Sequence, residues 1–434
     1  MADRTDDDID GFFSTARVSA RDEAVELGRE SFRDHLFDHA DPALAPWRGL
    51  TYEQFTEARH DNAFLQQLLA DWNTLYEQPF VGITVDGVPQ PGLYALPASG
   101  TADPALVSAA RRFLDALDDE QREQACYAVD APEWRAWSNP EFVFHRVGLR
   151  LEDLAEGIVD AVHEVLRAAF SPEGYDRVRE AMALNGFLGE LVDLPLVMND
   201  RSYWFSIFGR PAIDEPWGFQ IFGHHLAVNF FTVGGREVIA PVFIGAEPAL
   251  SDDARPPIFD DRERLAIRLA SSLTPEQRAQ AVVFSSVLDP AMPEGRLHPA
   301  DERHVAGAFR DNRVVPYEGI RATALDTGQR AMLREIVEDF HLLLALPERA
   351  ATMAEFDAHL GETWFSWYGA TDGSQPVYFR IHSPVIIAEL DNHAGVWLAN
   401  RLPARFHVHS TLRLPNGNDY GRALLQAWRE RQSA

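Results

Sequence analysis

Residues 217–245 read WGFQIFGHHLAVNFFTVGGREVIAPVFIG and contain two β-rich runs on either side of Gly234-Gly235. Glycine readily adopts the positive φ that a tight hairpin turn requires, so the pair predicts a β-hairpin. Both runs are apolar at most positions, and a strand of this composition is typically covered on both faces. The stretch therefore predicts two neighbouring strands in the interior of a sheet.

Two adjacent histidines, His224 and His225, lie within the first of these runs. Burying an imidazole without a partner costs free energy, so each ring needs a hydrogen bond, a metal ion or a substrate. Neighbouring residues of a regular strand point to opposite faces. We therefore expect at most one of the two rings to join a shared site, unless Gly223 introduces a β-bulge. A pair of hydrogen-bonded core histidines is the alternative.

The overall composition limits the partners and the chemistry of the chain. Its 434 residues carry a formal net charge of −28, and 46% of them are apolar, which predicts a sizeable core and argues against nucleic acids or anionic membranes as partners. The sequence has no lysine, which excludes a lysine Schiff base, a pyridoxal-phosphate anchor and a P-loop lysine. Cys126 is the one cysteine, so an intrachain disulfide or a cysteine-rich metal site is not possible.

The same features predict the location and the domain organisation. The N-terminal residues lack the apolar run of a secretory signal, and no stretch has the apolar length of a membrane span. We therefore expect a cytoplasmic protein, with a flexible tail at residues 1–18 and a single α+β domain over residues 19–434. Helical N-terminal and peripheral layers are expected to pack on a mostly antiparallel β-sheet core, because no regular βαβ alternation is present.

Two further segments have patterns that predict local structure. Within residues 80–94, Val81, Ile83 and Val85 occupy alternate positions before Asp86-Gly87, which predicts a β-hairpin. Residues 290–323 are rich in Pro, Gly, Arg and His, which predicts a loop over the surface.

A short motif recurs along the chain. LDDEQR at residues 117–122 resembles LTPEQR at 273–278, and LDTGQR at 325–330 is a weaker copy. In each copy an Asp or Thr precedes a Gln by three residues, which is typical of a capping box at a helix start. We favour three helix caps as the explanation. The alternative is a duplicated half-domain, because the first two copies lie 156 residues apart.

His407-Val408-His409 is the sharpest metal-binding pattern in the sequence. Residues two apart on a strand point the same way, so both imidazoles are expected on one face and close enough to bind one metal ion. A third ligand is expected from His224 or His225. The alternative is a polar strand face in contact with solvent. A cupin site is not indicated, because the required Glu does not follow the His-x-His pattern.

The β-prone segment that ends near Leu390 holds further candidates for catalysis. Arg380 and His382 are two residues apart and therefore predicted on one face, where Arg380 could bind a substrate carboxylate. His382 or Glu389 could complete the metal shell, and Glu389 or Asp391 could act as a ligand or a base. The alternatives are a partly exposed edge strand and ordinary solvated carboxylates.

Several of these segments together resemble the bacterial family called domain of unknown function 3500. The matching segments are GHHL at residues 223–226, YFRIHSP at 378–384, HVH at 407–409, NDYG at 418–421 and, earlier, Asp86-Gly87 with Pro91-Gly92-Leu93. The resemblance implies one architecture for nearly the whole chain. It implies no particular activity, because the family has no settled function.

The histidine patterns predict a metal-dependent enzyme that acts on a small organic substrate, with Fe or Cu redox chemistry favoured at a His-rich mononuclear site. A metal-free or Zn hydrolase or lyase with a histidine general base is the second hypothesis. The third is a non-catalytic protein that binds a small molecule. All three have a small-molecule partner, which could carry a carboxylate for Arg380. The sequence does not define the oligomeric state.

Overall fold

The computed structural model describes residues 31–253 and 255–434. The predicted tail at residues 1–18 lies outside this part of the chain. Within the described residues, a mostly antiparallel sheet of twelve strands is combined with eleven α-helices, which confirms the predicted α+β class. None of the described helices combines the length and the apolar composition that a membrane span requires.

One continuous sheet contains the twelve described strands. Their bounds are β1 (Cys126–Tyr127), β2 (Leu149–Arg150), β3 (Tyr203–Gly209), β4 (Trp217–Gly223), β5 (Leu226–Val233), β6 (Arg236–Ala246), β7 (Val282–Phe284), β8 (Ile320–Arg321), β9 (Trp364–Tyr368), β10 (Tyr378–Ser383), β11 (Ile386–Asn392) and β12 (Val408–Arg413). The order across the sheet is β1-β3-β4-β5-β6-β12-β11-β10-β9-β7, with β2 beside β3 and β8 beside β9. The pairs β1–β3 and β7–β9 are parallel.

The helices precede and connect these strands. Their bounds are α1 (Tyr52–His60), α2 (Ala63–Tyr76), α3 (Pro104–Ala116), α4 (Asp119–Ala125), α5 (Glu156–Ala169), α6 (Pro172–Leu191), α7 (Asp260–Ser272), α8 (Pro275–Ala281), α9 (Thr327–Phe340), α10 (Leu346–Ala358) and α11 (Arg422–Ser433). Capping boxes at Asp118, Thr274 and Asp326 begin α4, α8 and α9. The three predicted helix starts are therefore confirmed, each with a Gln that bonds back to the cap residue.

The order of elements repeats once along the chain. In the first half, α3 and α4 lead into β1 and β2, then α5 and α6 follow, and β3 to β6 complete the half. In the second half, α7 and α8 lead into β7 and β8, then α9 and α10 follow, and β9 to β12 complete it. The halves meet where β6 pairs with β12. The duplicated half-domain, our less favoured alternative, is thus visible in the fold in addition to the helix caps.

Matching glycines support the repeat at the level of single contacts. Gly148 has a φ of +93°, and a Cβ there would lie 2.2 Å from the carbonyl oxygen of Phe205 in β3. Gly319 has a φ of +90°, and a Cβ there would lie 2.1 Å from the carbonyl oxygen of Phe365 in β9. Both glycines thus allow the same close approach to the corresponding strand of their half. The third motif copy begins α9, whose counterpart is α5, so it is not a third repeat.

The Gly234-Gly235 hairpin is confirmed. The two glycines have φ values of +56° and +78° and join β5 to β6. Every residue of β4 and β5 is buried, as expected for strands that are covered on both faces. Residues 217–245 therefore form interior strands of the sheet, as their sequence pattern predicts.

The prediction that His224 and His225 lie within a strand is wrong. Gly223 ends β4 and pairs with Leu226 at the start of β5, so the two histidines form the turn between these strands. His225 takes the turn conformation, with a φ of +61°. The apolar residues on both sides of this turn predicted one continuous strand, and positive φ is uncommon for residues other than glycine.

The two faces of the sheet differ in their chemistry. One face is apolar in both halves and packs against residues of α3, α5, α6, α7 and α9 in one large core. On the opposite face, the first half contributes apolar side chains such as Trp204, Phe222 and Phe243 to a second core. The second half instead carries buried polar side chains there, which include Arg380, Glu389, Asp391, His409 and Thr411. The candidates on strands, Arg380, His382, Glu389 and His409, therefore lie on one face of the second half, whereas His224 and His225 belong to the first half.

Two local predictions are corrected by the structure. Residues 80–94 form no hairpin; Thr84 makes an isolated parallel bridge to Val314 instead. Residues 290–323 do not all loop over the surface, because Arg303 and His304 are 0% and 2% exposed. This part of the loop is bound to the buried Glu389, whose carboxylate accepts a hydrogen bond from the Val305 N–H over 2.9 Å.

Candidate metal centre

Strand β12 lies in the middle of the sheet, between β6 and β11. His409 lies in β12 and His407 directly precedes this strand; both are buried, and their Nε2 atoms lie 3.1 Å apart. The convergence expected from the His-x-His pattern is thus present. The alternative, a strand face in contact with solvent, is wrong for these two residues.

His225 brings a third imidazole to the same place from the turn between β4 and β5. Its ring centroid lies 5.5 Å from that of His407 and 5.1 Å from that of His409. Ligand atoms of the three rings all lie within 4.8 Å of one another. The turn is held by Asn139, whose Oδ1 accepts a hydrogen bond from the His225 N–H over 3.1 Å. Backbone strain at a non-glycine residue of this kind often occurs at functional sites.

His224 has a different role from its neighbour. Its ring stacks on that of His225 with centroids 3.8 Å apart, and its Nδ1 lies 2.8 Å from Asn185 Oδ1. Burial lowers the pKa of His224 to about 3, so the neutral ring donates its Nδ1–H to the amide oxygen. His224 therefore orients His225, and His225 is the one of the pair that joins His407 and His409.

The three clustered rings are electrically neutral. Burial, followed by the charges of neighbouring imidazoles, holds the pKa values of His225, His407 and His409 well below their usual range. A neutral imidazole offers a lone pair to a metal ion, which a protonated ring cannot do. His407 Nδ1 lies 2.7 Å from the Ala394 carbonyl oxygen, and this bond places its proton on Nδ1 and its lone pair on Nε2.

Glu247 supports His407 from the end of β6. Its carboxylate accepts hydrogen bonds from the N–H groups of Val396, Trp397 and Leu398, and Oε1 lies 3.8 Å from His407 Nδ1. Burial raises the pKa of Glu247 to about 7 against the effect of these donors. The residue ties the loop that carries Ala394 to the sheet, so it positions His407 through the backbone.

A second cluster adjoins the first. His304, Asp391 and His393 are buried, and ligand atoms of these three residues also lie within 4.8 Å of one another. The His393 ring centroid is 3.8 Å from that of His409. The six clustered residues thus form one continuous polar region in the interior of the protein.

A cavity of about 60 Å³ opens beside the clusters. Its lining contains His224, His225, His393, His407 and His409, with Trp72, Ala308, Glu141, Asp301 and Glu302 among the remaining residues. A water molecule needs about 10–15 Å³ of such space, so the cavity has room for a small ligand. The lining is apolar on the Trp72 side and carries carboxylates elsewhere.

Arg380 and His382 do not line this cavity. An Arg380 guanidinium nitrogen lies 3.3 Å from Glu318 Oε1, so its charge is already paired. His382 packs against Tyr317 with ring centroids 4.6 Å apart. The structure therefore separates these two candidates from the histidine clusters.

Glu389 lies behind the second cluster rather than in the cavity. Its carboxylate accepts hydrogen bonds from Tyr378 Oη over 2.6 Å and from the N–H groups of Val305 and Ala306. Burial opposes its ionisation, but His304, the charge of Arg380 and the hydrogen bond from Tyr378 outweigh burial and lower the pKa of Glu389 to about 2. A carboxylate held in this way is a weak base, so its contacts favour a positioning role.

Two cluster members, His304 and His393, were missed by the sequence analysis. His393 directly follows β11 and lies two residues after Asp391. The same alternation that places Glu389 and Asp391 on one face of the sheet therefore predicts His393 on that face. His304 lies in the segment predicted as a surface loop, where composition alone gave no indication of burial. Asp391 is a predicted ligand or base, and the alternative, a solvated carboxylate, is wrong because its side chain is fully buried.

The fold and the site define an α+β protein of two similar halves, with buried imidazole clusters beside a small cavity at their junction. The family model DUF3500, described as a protein of unknown function, matches residues 99–422, and the chain belongs to this family. The resemblance seen in the sequence is confirmed; the segment with Asp86-Gly87 precedes the matched range. No curated protein and no solved structure matches the chain.

Proposed function

We propose that the chain is a metal-dependent enzyme that acts on a small organic substrate, with a transition-metal ion bound by His225, His407 and His409. The main observation behind the proposal is that three buried imidazole rings lie together at the wall of a cavity. Their ligand atoms are within 4.8 Å of one another. They come from two distant parts of the chain, so local sequence does not account for their meeting.

The separation of His407 and His409 fits two ligands of one ion. Metal–nitrogen bonds of about 2.0–2.1 Å place two nitrogens about 2.9 Å apart at a right angle and about 3.4 Å apart at a tetrahedral angle. The Nε2 atoms are 3.1 Å apart. The bond from His407 Nδ1 to the Ala394 carbonyl oxygen is the usual outer partner of a metal-bound histidine.

Three imidazoles without a cysteine suit Fe(II), Cu or Zn. Bound iron or copper would supply redox chemistry, and we favour an oxidoreductase on this ground; bound zinc would supply an activated water. The chain's own contribution is a dry and preorganised set of neutral rings, held by Asn139, Asn185 and Glu247. The ligand atoms therefore need little reorganisation when the ion binds.

The cavity lining favours some substrates over others. Glu141, Asp301 and Glu302 contribute carboxylates, and the described lining residues include no arginine. Arg380, the expected clamp for a substrate carboxylate, is outside the cavity and paired with Glu318. Glu141 and Glu302 are themselves paired, with Arg59 and Arg303, so we propose a neutral small substrate, with its apolar part against Trp72.

Metal analysis of the purified and reconstituted protein tests the proposal. We expect at least one equivalent of transition metal per chain, and loss of the cavity-facing equivalent in the double variant His407→Asn, His409→Asn. His341→Asn is the matched control, because His341 is also buried but does not line this cavity. Less than a tenth of an equivalent in the wild-type protein, or the same loss in the control, would overturn the metal site.

A second candidate is a metal-free hydrolase or lyase in which a histidine acts as general base. The 3.1 Å separation of the His407 and His409 Nε2 atoms also fits an N–H···N hydrogen bond between one protonated and one unprotonated nitrogen. This function requires that activity survives exhaustive treatment with chelators and is lost when His407 is replaced.

A further inference from the structure

The second cluster has features of a ligand site in its own right. His304 and His393 are 2% and 3% exposed, and the Nε2 atom of each is buried without a hydrogen-bond partner. His393 Nε2 lies 3.1 Å from Asp391 Oδ2 but is not aligned for a hydrogen bond with it. Buried polar atoms almost always have a partner, so these nitrogens indicate a missing one.

Hydrogen bonds from neighbouring residues orient the side chains of His304 and Asp391 in the second cluster. His304 Nδ1 lies 2.9 Å from Thr411 Oγ1 and 3.6 Å from Glu389 Oε2. An imidazole that donates its Nδ1 proton to these oxygens has its lone pair on Nε2. Asp391 Oδ1 accepts a hydrogen bond from Arg303 Nε over 2.6 Å, which fixes the carboxylate while Oδ2 faces His393.

The local charge balance favours a cation. Glu302, Glu389 and Asp391 are buried carboxylates around the cluster, and each is at most 7% exposed. Arg303 pairs with two of them, Glu302 and Asp391, over 2.6 Å each. The charge of Glu389 is offset by the nearby Arg380, whereas Glu302 and Asp391 share one guanidinium, and this leaves a net negative charge beside the cluster. A bound cation would offset this charge.

We propose that His304, Asp391 and His393 bind a second divalent transition-metal ion, which forms a binuclear centre with the ion of the proposed function. Two histidines with one carboxylate are a common donor set for Fe(II). The same set also suits Mn(II) or Zn(II), and it suits Cu less well. The second site is adjacent to the first, because the His393 and His409 ring centroids are 3.8 Å apart. The proposal rests on the proposed function for the first ion.

The two sites differ in their access to the cavity. All three residues of the first site line it, whereas of the second site His393 does and His304 and Asp391 do not. The first ion therefore meets a substrate more directly. The second ion lies on the closed side and is expected to exchange more slowly with a chelator.

The test is a count of bound Fe, Mn or Zn in apoprotein reconstituted with each metal. Wild-type protein is expected to bind two equivalents. The variant His304→Asn, His393→Asn and the variant His407→Asn, His409→Asn are each expected to bind one. A milder variant, Thr411→Val, keeps all ligands but removes an oxygen beside His304 Nδ1, and it is expected to weaken the slowly exchanging site by about 10-fold.

The outcomes separate the two proposals. One equivalent in wild-type protein that persists in the His304 and His393 variant, but not in the His407 and His409 variant, overturns the second site and keeps the first. No bound metal overturns both. If the double variants fail to fold, judged by circular dichroism, Thr411→Val decides: unchanged affinity of both equivalents overturns the assignment of His304 as a ligand.

Discussion

Gly245 faces His409 directly in the pairing of β6 with β12, and a Cβ on Gly245 would lie 2.6 Å from His409 Cδ2. The same Cβ would lie 2.9 Å from His225 Cδ2. Both distances are too short for real side-chain contacts. The lack of a side chain at this one position is therefore what lets rings from the two halves of the protein approach each other.

Gly245→Ala is expected to lower the affinity for the first metal ion by at least about 10-fold without removing a ligand, because one or both rings must move. Metal titration with a competing chelator measures this. Gly157→Ala is the control, since a Cβ there meets nothing within 4 Å. Unchanged affinity in Gly245→Ala would show that His225 and His409 do not share an ion.

His225 combines a candidate ligand with a strained backbone, and two variants separate these properties. Its φ of +61° costs an L-residue about 1–2 kcal/mol, a cost that glycine does not have. His225→Gly and His225→Ala should both lose the first metal ion. In urea unfolding of the metal-free proteins, we expect the glycine variant to be more stable than the alanine variant by about 1 kcal/mol. Equal stabilities would argue against strain at this turn.

The elements that the sequence predicted well are those with a local physical signal. The positive φ of Gly234 and Gly235, the Gln-based capping boxes and the two-residue spacing of His407 and His409 all depend on a few neighbouring residues. Each of these was visible in the sequence and is present in the structure.

The features that escaped prediction depend on distant parts of the chain. The turn at His225 is stabilised by Asn139, which no local pattern links to it. His304 is buried because Glu389 binds the backbone beside it. The repeat is hidden because equivalent positions differ in chemistry: Gln220 pairs with Asn229 in the first half, where Arg380 pairs with Glu389 in the second.

Asp311 supports the sheet face that carries the clusters, and its replacement tests how much that support contributes to stability. Its carboxylate pairs with Arg135 and Arg413 over 2.8 Å each and accepts a hydrogen bond from Tyr420 Oη over 2.9 Å. Asp311→Ala leaves buried guanidinium charge uncompensated, so we expect a loss of about 3–5 kcal/mol in the free energy of unfolding.

The matched control for Asp311 is an exposed ion pair. Arg112 and Glu164 lie 2.9 Å apart with side chains 56% and 48% exposed. Glu164→Ala is expected to cost less than about 1 kcal/mol, because water screens this pair. Similar losses in the two variants would contradict the role given to burial.

Glu237 allows a test of electrostatics far from the clusters. Burial, and then the charges of Glu348 and Asp103, raises the pKa of Glu237 from 4.5 to about 7. The folded protein thus holds this proton more tightly than the unfolded chain does. The contribution of Glu237 to stability is therefore fully present below pH 4.5 and is lost as the pH rises through 7.

Glu237→Gln cannot ionise, so its effect on stability should depend on pH. We expect it to stabilise the protein by about 1–2 kcal/mol at pH 8 and to change little at pH 4, because the wild-type carboxyl group is then protonated in both states. Urea unfolding at the two pH values measures this, with Glu164→Gln as the exposed control. A stabilisation that grows toward low pH would contradict the raised pKa, since it would mean that folding favours the ionised form of Glu237.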